Sequence, residues 1–138
     1  MLIGQRITVI GAGIGGLAAA VALARRGAQV TVLERAPAIR EVGAGLQVSP
    51  NGAAVLAGLG LGDALRAAGV VSRAVQLRDY RRGAPVLRMD LSSYNAAGHP
   101  FVLIHRARLI ELLADAARDA GVEIQLGAEV TRGLGCGA

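Results

Sequence analysis

Lysine is missing from this sequence altogether: all fifteen basic residues are arginine, and against ten acidic residues they leave a net charge of +5. Aromatic residues are nearly missing too. Only Tyr80, Tyr94 and Phe101 are present, so any core must be built from Ala, Leu, Val and Ile. The single cysteine, Cys136, forms no intrachain disulfide, which excludes a disulfide scaffold and fits a reducing, cytoplasmic compartment. No metal-ligand cluster, no Ser/His/Asp or Cys/His arrangement and no heptad or internal repeat stands out. The positive charge raises the question of nucleic acid. Apart from Arg78, Arg81 and Arg82 the arginines are scattered, with no interleaved aromatics on which bases would stack. The excess reads as codon bias and solvated surface, and no nucleic-acid partner is expected.

What is present begins with RITVIGAGIGGLAAAVALARRG, Arg6 to Gly27. Its uncharged part, Ile7 to Ala24, approaches the lower limit of a bilayer span, and Ala22-Leu23-Ala24 resembles a signal-peptidase site. The interior argues against both. Ile7-Thr8-Val9-Ile10 is a β-branched run ending at Gly11, as in a buried strand of a parallel sheet. Gly11-Ala12-Gly13-Ile14-Gly15-Gly16 is too glycine-rich for a continuous spanning helix, and Leu17 to Arg26 predicts a helix capped by Gly27. No membrane partner is expected.

Strand, glycine turn and helix are the context that gives a G-x-G-x-x-G meaning. A second strand is expected over Ala28–Leu33, which places Glu34 at its carboxyl end, about 20 residues beyond the glycines, where a dinucleotide fold keeps its ribose-binding acid. Gly11 would permit the tight turn, Gly13 the approach of backbone to a pyrophosphate, and Gly16 close packing of helix on sheet. The N–H groups at the helix start would face phosphate, while Glu34 would accept from a ribose diol and repel a 2′-phosphate. A glycine-rich bend with a solvated acid is the bland alternative, and it leaves the ordered spacing unexplained. The turn alone does not separate NAD from FAD.

Further on, Ser49-Pro50 predicts an N-cap and first turn, with helices over Asn51–Leu59 and Asp63–Ala68. Arg73–Tyr80 and Pro85–Leu91 alternate with period two and predict a hairpin with Val75, Leu77, Leu87, Met89 and Leu91 on one face. A helix over Ala107–Ala120 is expected to bury Leu109, Leu112, Leu113, Ala116 and Ala120, and Val122–Leu126 to add a third parallel strand. His99 is expected on a surface loop and His105 in local packing beside Arg106. No catalytic residue is assigned.

The stretch GAGLQVSPNGAAVLAGLGL, with the fingerprint and Glu34-Arg35 ahead of it and IHRARLIELLADAARDAGVEIQLGAEV behind it, resembles the single-component FAD-dependent aromatic hydroxylases. Those acting on salicylate, 3-hydroxybenzoate and 6-hydroxynicotinate are the most similar. One departure is Arg108, where the family often has an acid. The resemblance implies an α/β fold: a Rossmann-like FAD-binding βαβ domain with a parallel sheet, plus a partial β-hairpin from the substrate domain. Residues 1–138 would be an FAD-binding domain fragment, with about residues 70–104 the hairpin excursion belonging to an incomplete substrate domain. The family's later Asp-Gly and Gly-Asp signatures have no counterpart, so the chain reads as a truncated, amino-terminal portion.

The same resemblance implies roles. Gly11, Gly13, Gly15 and Gly16 would line the FAD pyrophosphate, Glu34 would hold the adenosine ribose, and Arg35 would lie at the adenine–ribose end. Gln47 would lie near the flavin side, Arg106 would reach the cofactor from the start of the long helix, and the Val130 backbone would meet the adenine. The implied full-length enzyme takes NADH or NADPH as transient electron donor and O₂ to hydroxylate a small aromatic acid. The competing readings are a non-catalytic dinucleotide-binding remnant, and another flavoprotein or NAD-dependent oxidoreductase with the same fingerprint. Self-association through the hairpin's apolar face is expected.

Overall fold

The computed structural model describes residues 1–39, 44–96 and 98–132. It divides into two compact units, one formed by Met1–Val42 with Leu109–Ala138, the other by Gly43–Arg108. In chain order the first unit opens with β1 (Arg6–Ile10), α1 (Ile14–Ala24) and β2 (Gln29–Glu34). The second runs through β3 (Gly45–Val48), α2 (Pro50–Gly58), α3 (Gly62–Ala68), β4 (Val70–Val71), β5 (Ala74–Arg78), β6 (Pro85–Asp90), α4 (Ser92–Ala96) and β7 (Val102–His105). Helix α5 (Arg106–Asp119) and β8 (Glu123–Leu126) then return the chain to the first unit.

The first unit is a parallel sheet in the order β1-β2-β8, the α/β arrangement expected of the strand–turn–helix pattern. Val30 and Val32 of β2 are buried, and so are Leu17, Ala20 and Val21 of α1. Helix α1 starts at Ile14 rather than Leu17, because Gly15 and Gly16 take up helical geometry instead of remaining in the turn. It is closed as expected: Gly27 has φ +92°, and its N–H donates to the Ala24 carbonyl at 2.9 Å. Helix α5 buries Leu109, Ile110, Leu113, Ala114 and Ala117. The expected stripe is thus rotated, with Leu112, Ala116 and Ala120 only half-buried on its flank. Ile110, Leu113 and Ala117 repeat at three and four, and that line, with the small Ala114 beside it, forms the centre of the buried face.

The second unit contains a sheet in the order β3-β7-β4, all pairs antiparallel, and a separate β5-β6 hairpin. Val48, Ala53, Leu56, Leu59, Leu65, Leu91, Val102 and Ile104 are its buried apolar residues. Strands β3, β4 and β7 and helix α4 have no counterpart in the sequence reading, since two to five residues are too few to display a period. Ser49 holds the N-cap position of α2, but its hydroxyl goes to the Asn51 side chain and caps no backbone N–H. Gly69 closes α3 in extended geometry; it is glycine for want of room, as a Cβ there would overlap Val102. In the hairpin Val75 faces Met89 and Leu77 faces Leu87, as the alternation requires, with a register shift between Leu77 and Arg78. Among the described residues no helix is long and apolar enough to cross a membrane.

Candidate functional site

The parallel register places Ile10 beside Leu33, so the chain leaving β1 turns next to the end of β2. Gly11 makes that turn at φ +98°, a conformation in which a side chain is strained, and its N–H donates to the Leu33 carbonyl at 2.7 Å. A Cβ on Gly16 would overlap the Gly11 carbonyl oxygen, so the first turn of α1 sits directly on the glycine turn. At Gly13 and Gly15 the situation is reversed: an added Cβ would meet nothing within 4 Å. Gly13 is the N-cap of α1, with no side-chain cap and no acid in the first turn of the helix. The leading amides and positive dipole end of α1 therefore lie beside open space, which suits an anion.

Glu34 closes this arrangement from the β2 side. Its Oε2 accepts from the Ala12 N–H at 2.7 Å, and its Oε1 from the Ala36 N–H at 2.9 Å. These backbone bonds, Ala36 first and Ala12 second, hold its carboxyl below the ordinary glutamate range, helped by the Arg35 charge and opposed by partial burial. Glu34 is therefore a fixed negative charge at neutral pH. It borders two clefts. One of about 170 Å³ is lined by Ala12, Gly13, Ala36, Ala38, Ile39 and Ile110. The other, about 250 Å³, is lined by Ile10, Gly11, Leu33, Arg35, Ala128, Glu129 and Val130.

The structure thus brings Gly11, Glu34, Arg35 and Val130 to one cleft, with Gly13 and Glu34 at its neighbour. Gly15 and Gly16 follow in the first turn of α1. Val130 lies beyond β8 in no regular element, on a segment tied back by the Ala128 N–H to the Glu34 carbonyl at 2.9 Å. Gln47 and Arg106 belong to the other unit. Gln47 is exposed on β3 opposite Leu103, and Arg106 is exposed at the start of α5, its N–H donating to the Ala44 carbonyl at 3.4 Å. His99 is exposed, as expected. His105 is exposed too, not packed, because the alternation of β7 turns Val102 and Ile104 inward and Leu103 and His105 outward.

Sequence reasoning missed Ala12 and Ala36, which act through backbone N–H groups that residue type does not reveal. Ala12 was within reach of a register argument, since a parallel pairing of Ile10 with Leu33 sets it beside Glu34. Ile110 was missed because the stripe of α5 was set on the wrong line.

The fit of a dinucleotide can be judged from the glycines themselves. Space stands clear where side chains at Gly13 and Gly15 would be, next to a helix start without a side-chain cap and an acid with acceptor capacity to spare. A pyrophosphate and ribose suit that set. A family model described as an FAD binding domain matches residues 5–134. The chain is 46% identical over 121 residues to 3-amino-4-hydroxybenzoate 2-monooxygenase of Streptomyces cremeus, covering 86% of this chain and 31% of that protein. It is 39% identical over 129 residues to 3-hydroxybenzoate 6-hydroxylase 1 of Aquipseudomonas alcaligenes, covering 91% and 33%. Among solved structures, Klebsiella pneumoniae HpxO complexed with FAD and uric acid is similar with TM-score 0.78 and 37% identity, over 93% of this chain and 32% of that one. The chain spans about a third of the length of the relatives it matches.

Proposed function

This chain belongs to the FAD binding domain family, and from that membership we propose that its glycine turn and Glu34 hold the ADP half of FAD for a monooxygenase that hydroxylates a small aromatic acid. The observation that carries the reading is the pairing of an uncapped, side-chain-free helix start with a charged Glu34 on the adjoining strand end. Gly11, Gly13, Gly15 and Gly16 give the pyrophosphate backbone amides and room. Glu34 takes the ribose diol on the lone pairs its two backbone bonds leave free, and its charge disfavours a 2′-phosphate. Arg35 and the backbone of Val130 line the adenine end. By family resemblance Gln47 is assigned to the flavin side of the cofactor and Arg106 to contact with it.

Bound FAD supplies the redox chemistry, with NADH or NADPH as electron donor and O₂ as co-substrate. The part of this chain is to bind and orient. The names of its relatives support an aromatic acid as substrate: one acts on 3-amino-4-hydroxybenzoate and another on 3-hydroxybenzoate. Residues 70–104, with the β5-β6 hairpin, are assigned to the substrate side. The test is a titration of the purified chain with FAD, followed by flavin fluorescence, with NAD as competitor. Saturable binding that is lost in Gly13→Val and Glu34→Ala and unmoved by NAD is the expected result. Binding that survives both substitutions, or that NAD displaces, overturns the reading.

A further inference from the structure

We propose that Glu34 is a positioning residue for the glycine turn, its carboxylate bracing the Ala12 N–H so that the anion site and the ribose end work as one unit. The brace stands on geometry alone, while its effect on nucleotide affinity rests on the FAD reading above. Apart from the Leu17 N–H, which donates to the Gly13 carbonyl at 2.9 Å, the side chains of residues 11 to 13 do little to hold them. Gly11 and Gly13 have no side chains, the Gly13 position carries no side-chain cap, and Ala12 contributes only a buried methyl group. The turn is tied to β2 at two successive amides: Gly11 N–H to the Leu33 carbonyl, and Ala12 N–H to Glu34 Oε2 at 2.7 Å. The second tie is charge-assisted and therefore the stronger. The other oxygen is fixed by the Ala36 N–H at 2.9 Å, so the carboxylate spans the turn leaving β1 and the chain leaving β2, two of the walls of the 170 Å³ cleft.

A carboxylate suits this place because it only accepts. It meets both backbone donors and keeps lone pairs for a diol. Glutamine has one accepting oxygen, so it satisfies one amide and points an NH₂ group at the other. Aspartate keeps the charge but is one methylene short of spanning both. Among the described residues, the charged groups lining the two clefts with Glu34 are Arg35 and Glu129, and α5 contributes the apolar Ile110. Consistent with the brace, the backbone bonds outweigh the Arg35 charge in lowering the Glu34 carboxyl.

Two measurements test the proposal. In the nucleotide-free chain, the backbone amide proton of Ala12 is followed by NMR as pH falls through the carboxylate range. It should titrate together with that of Ala36, with a midpoint below that of ordinary glutamate; an Ala12 resonance indifferent to pH overturns the brace. This reading needs no substitution, so a variant that fails to fold does not compromise it. Secondly, ADP and 2′,3′-dideoxy-ADP are titrated into the chain and its Glu34→Gln form. If Glu34 only holds the ribose, the substitution costs nothing with the dideoxy nucleotide, and that outcome overturns the proposal. If it also braces the turn, the dideoxy nucleotide still loses about tenfold to a hundredfold in affinity, the worth of a charge-assisted backbone bond. Failure of the unaltered chain to bind either nucleotide would sink the FAD reading, leaving the Ala12 titration to uphold or overturn the brace by itself.

Discussion

A methyl group added at Gly16 would run into the Gly11 carbonyl, whereas one added at Gly13 would meet nothing within 4 Å. These two glycines of one motif therefore answer to different demands. Gly16→Ala is expected to push α1 off the turn, lowering stability by about 1–3 kcal/mol and weakening FAD together with it. Gly13→Ala, at an ordinary φ of −76°, should change thermal stability by less than about 1 kcal/mol, the gain from a stiffer unfolded chain offsetting alanine's poorer fit to an N-cap, while still lowering FAD affinity. A pair of melting curves beside a pair of FAD titrations checks both. Glu34 makes a prediction in pH. Because the folded carboxylate ionises at lower pH than the unfolded one, its stabilisation is complete above the ordinary glutamate range and fades as pH falls through the lowered value. Denaturant titrations across that range should show this slope, and Glu34→Gln should flatten it. The two glycines and Glu34 were legible in the sequence, through glycine spacing and a strand end. The backbone partners of Glu34, Ala12 and Ala36, were not legible from residue type, because an N–H is common to every residue type but proline.

Helix α5 shows what periodicity carries and what it misses. Its limits were legible from Arg106 and from Gly121, which adopts φ +78° where the helix ends. Its rotation was not: Leu112 and Leu113 are equal in hydropathy, and only the packed structure shows Leu113 fully buried and Leu112 on the flank. Leu113→Ala should accordingly cost about 2–5 kcal/mol, and Leu112→Ala clearly less. Equal costs, measured by chemical denaturation, would restore the stripe drawn from sequence. The short strands β3, β4 and β7 were illegible for another reason. Each is specified by its partner across the sheet, as when Leu46 meets Ile104, and no local pattern records that partner.

At the scale of the whole molecule, the hairpin β5-β6 leaves Leu77 and Leu87 exposed at 55% and 57%, with Val75 and Met89 beside them on the same face. Among the described residues its outer edges are unpaired as well. Such a face favours association between copies. The chain should show a mass above that of a monomer by size-exclusion chromatography with light scattering, and Leu77→Thr with Leu87→Thr should lower it. A monomer at every concentration would exclude the idea. The parallel sheet of the first unit was legible because each of its strands adjoins a helix or a glycine turn. The bounds of the two units were not, since no shift of composition marks the chain at Val42 or at Leu109.

That interrupted path sets an order of events in time. Strand β2 pairs in register with β8, Thr31 with Glu123, so the first unit cannot complete its sheet until the whole of Gly43–Arg108 has been synthesised. Until then β2 has only β1 beside it. A contact so distant in sequence is slow to form, so β8 is expected to join the sheet late in the folding of the first unit.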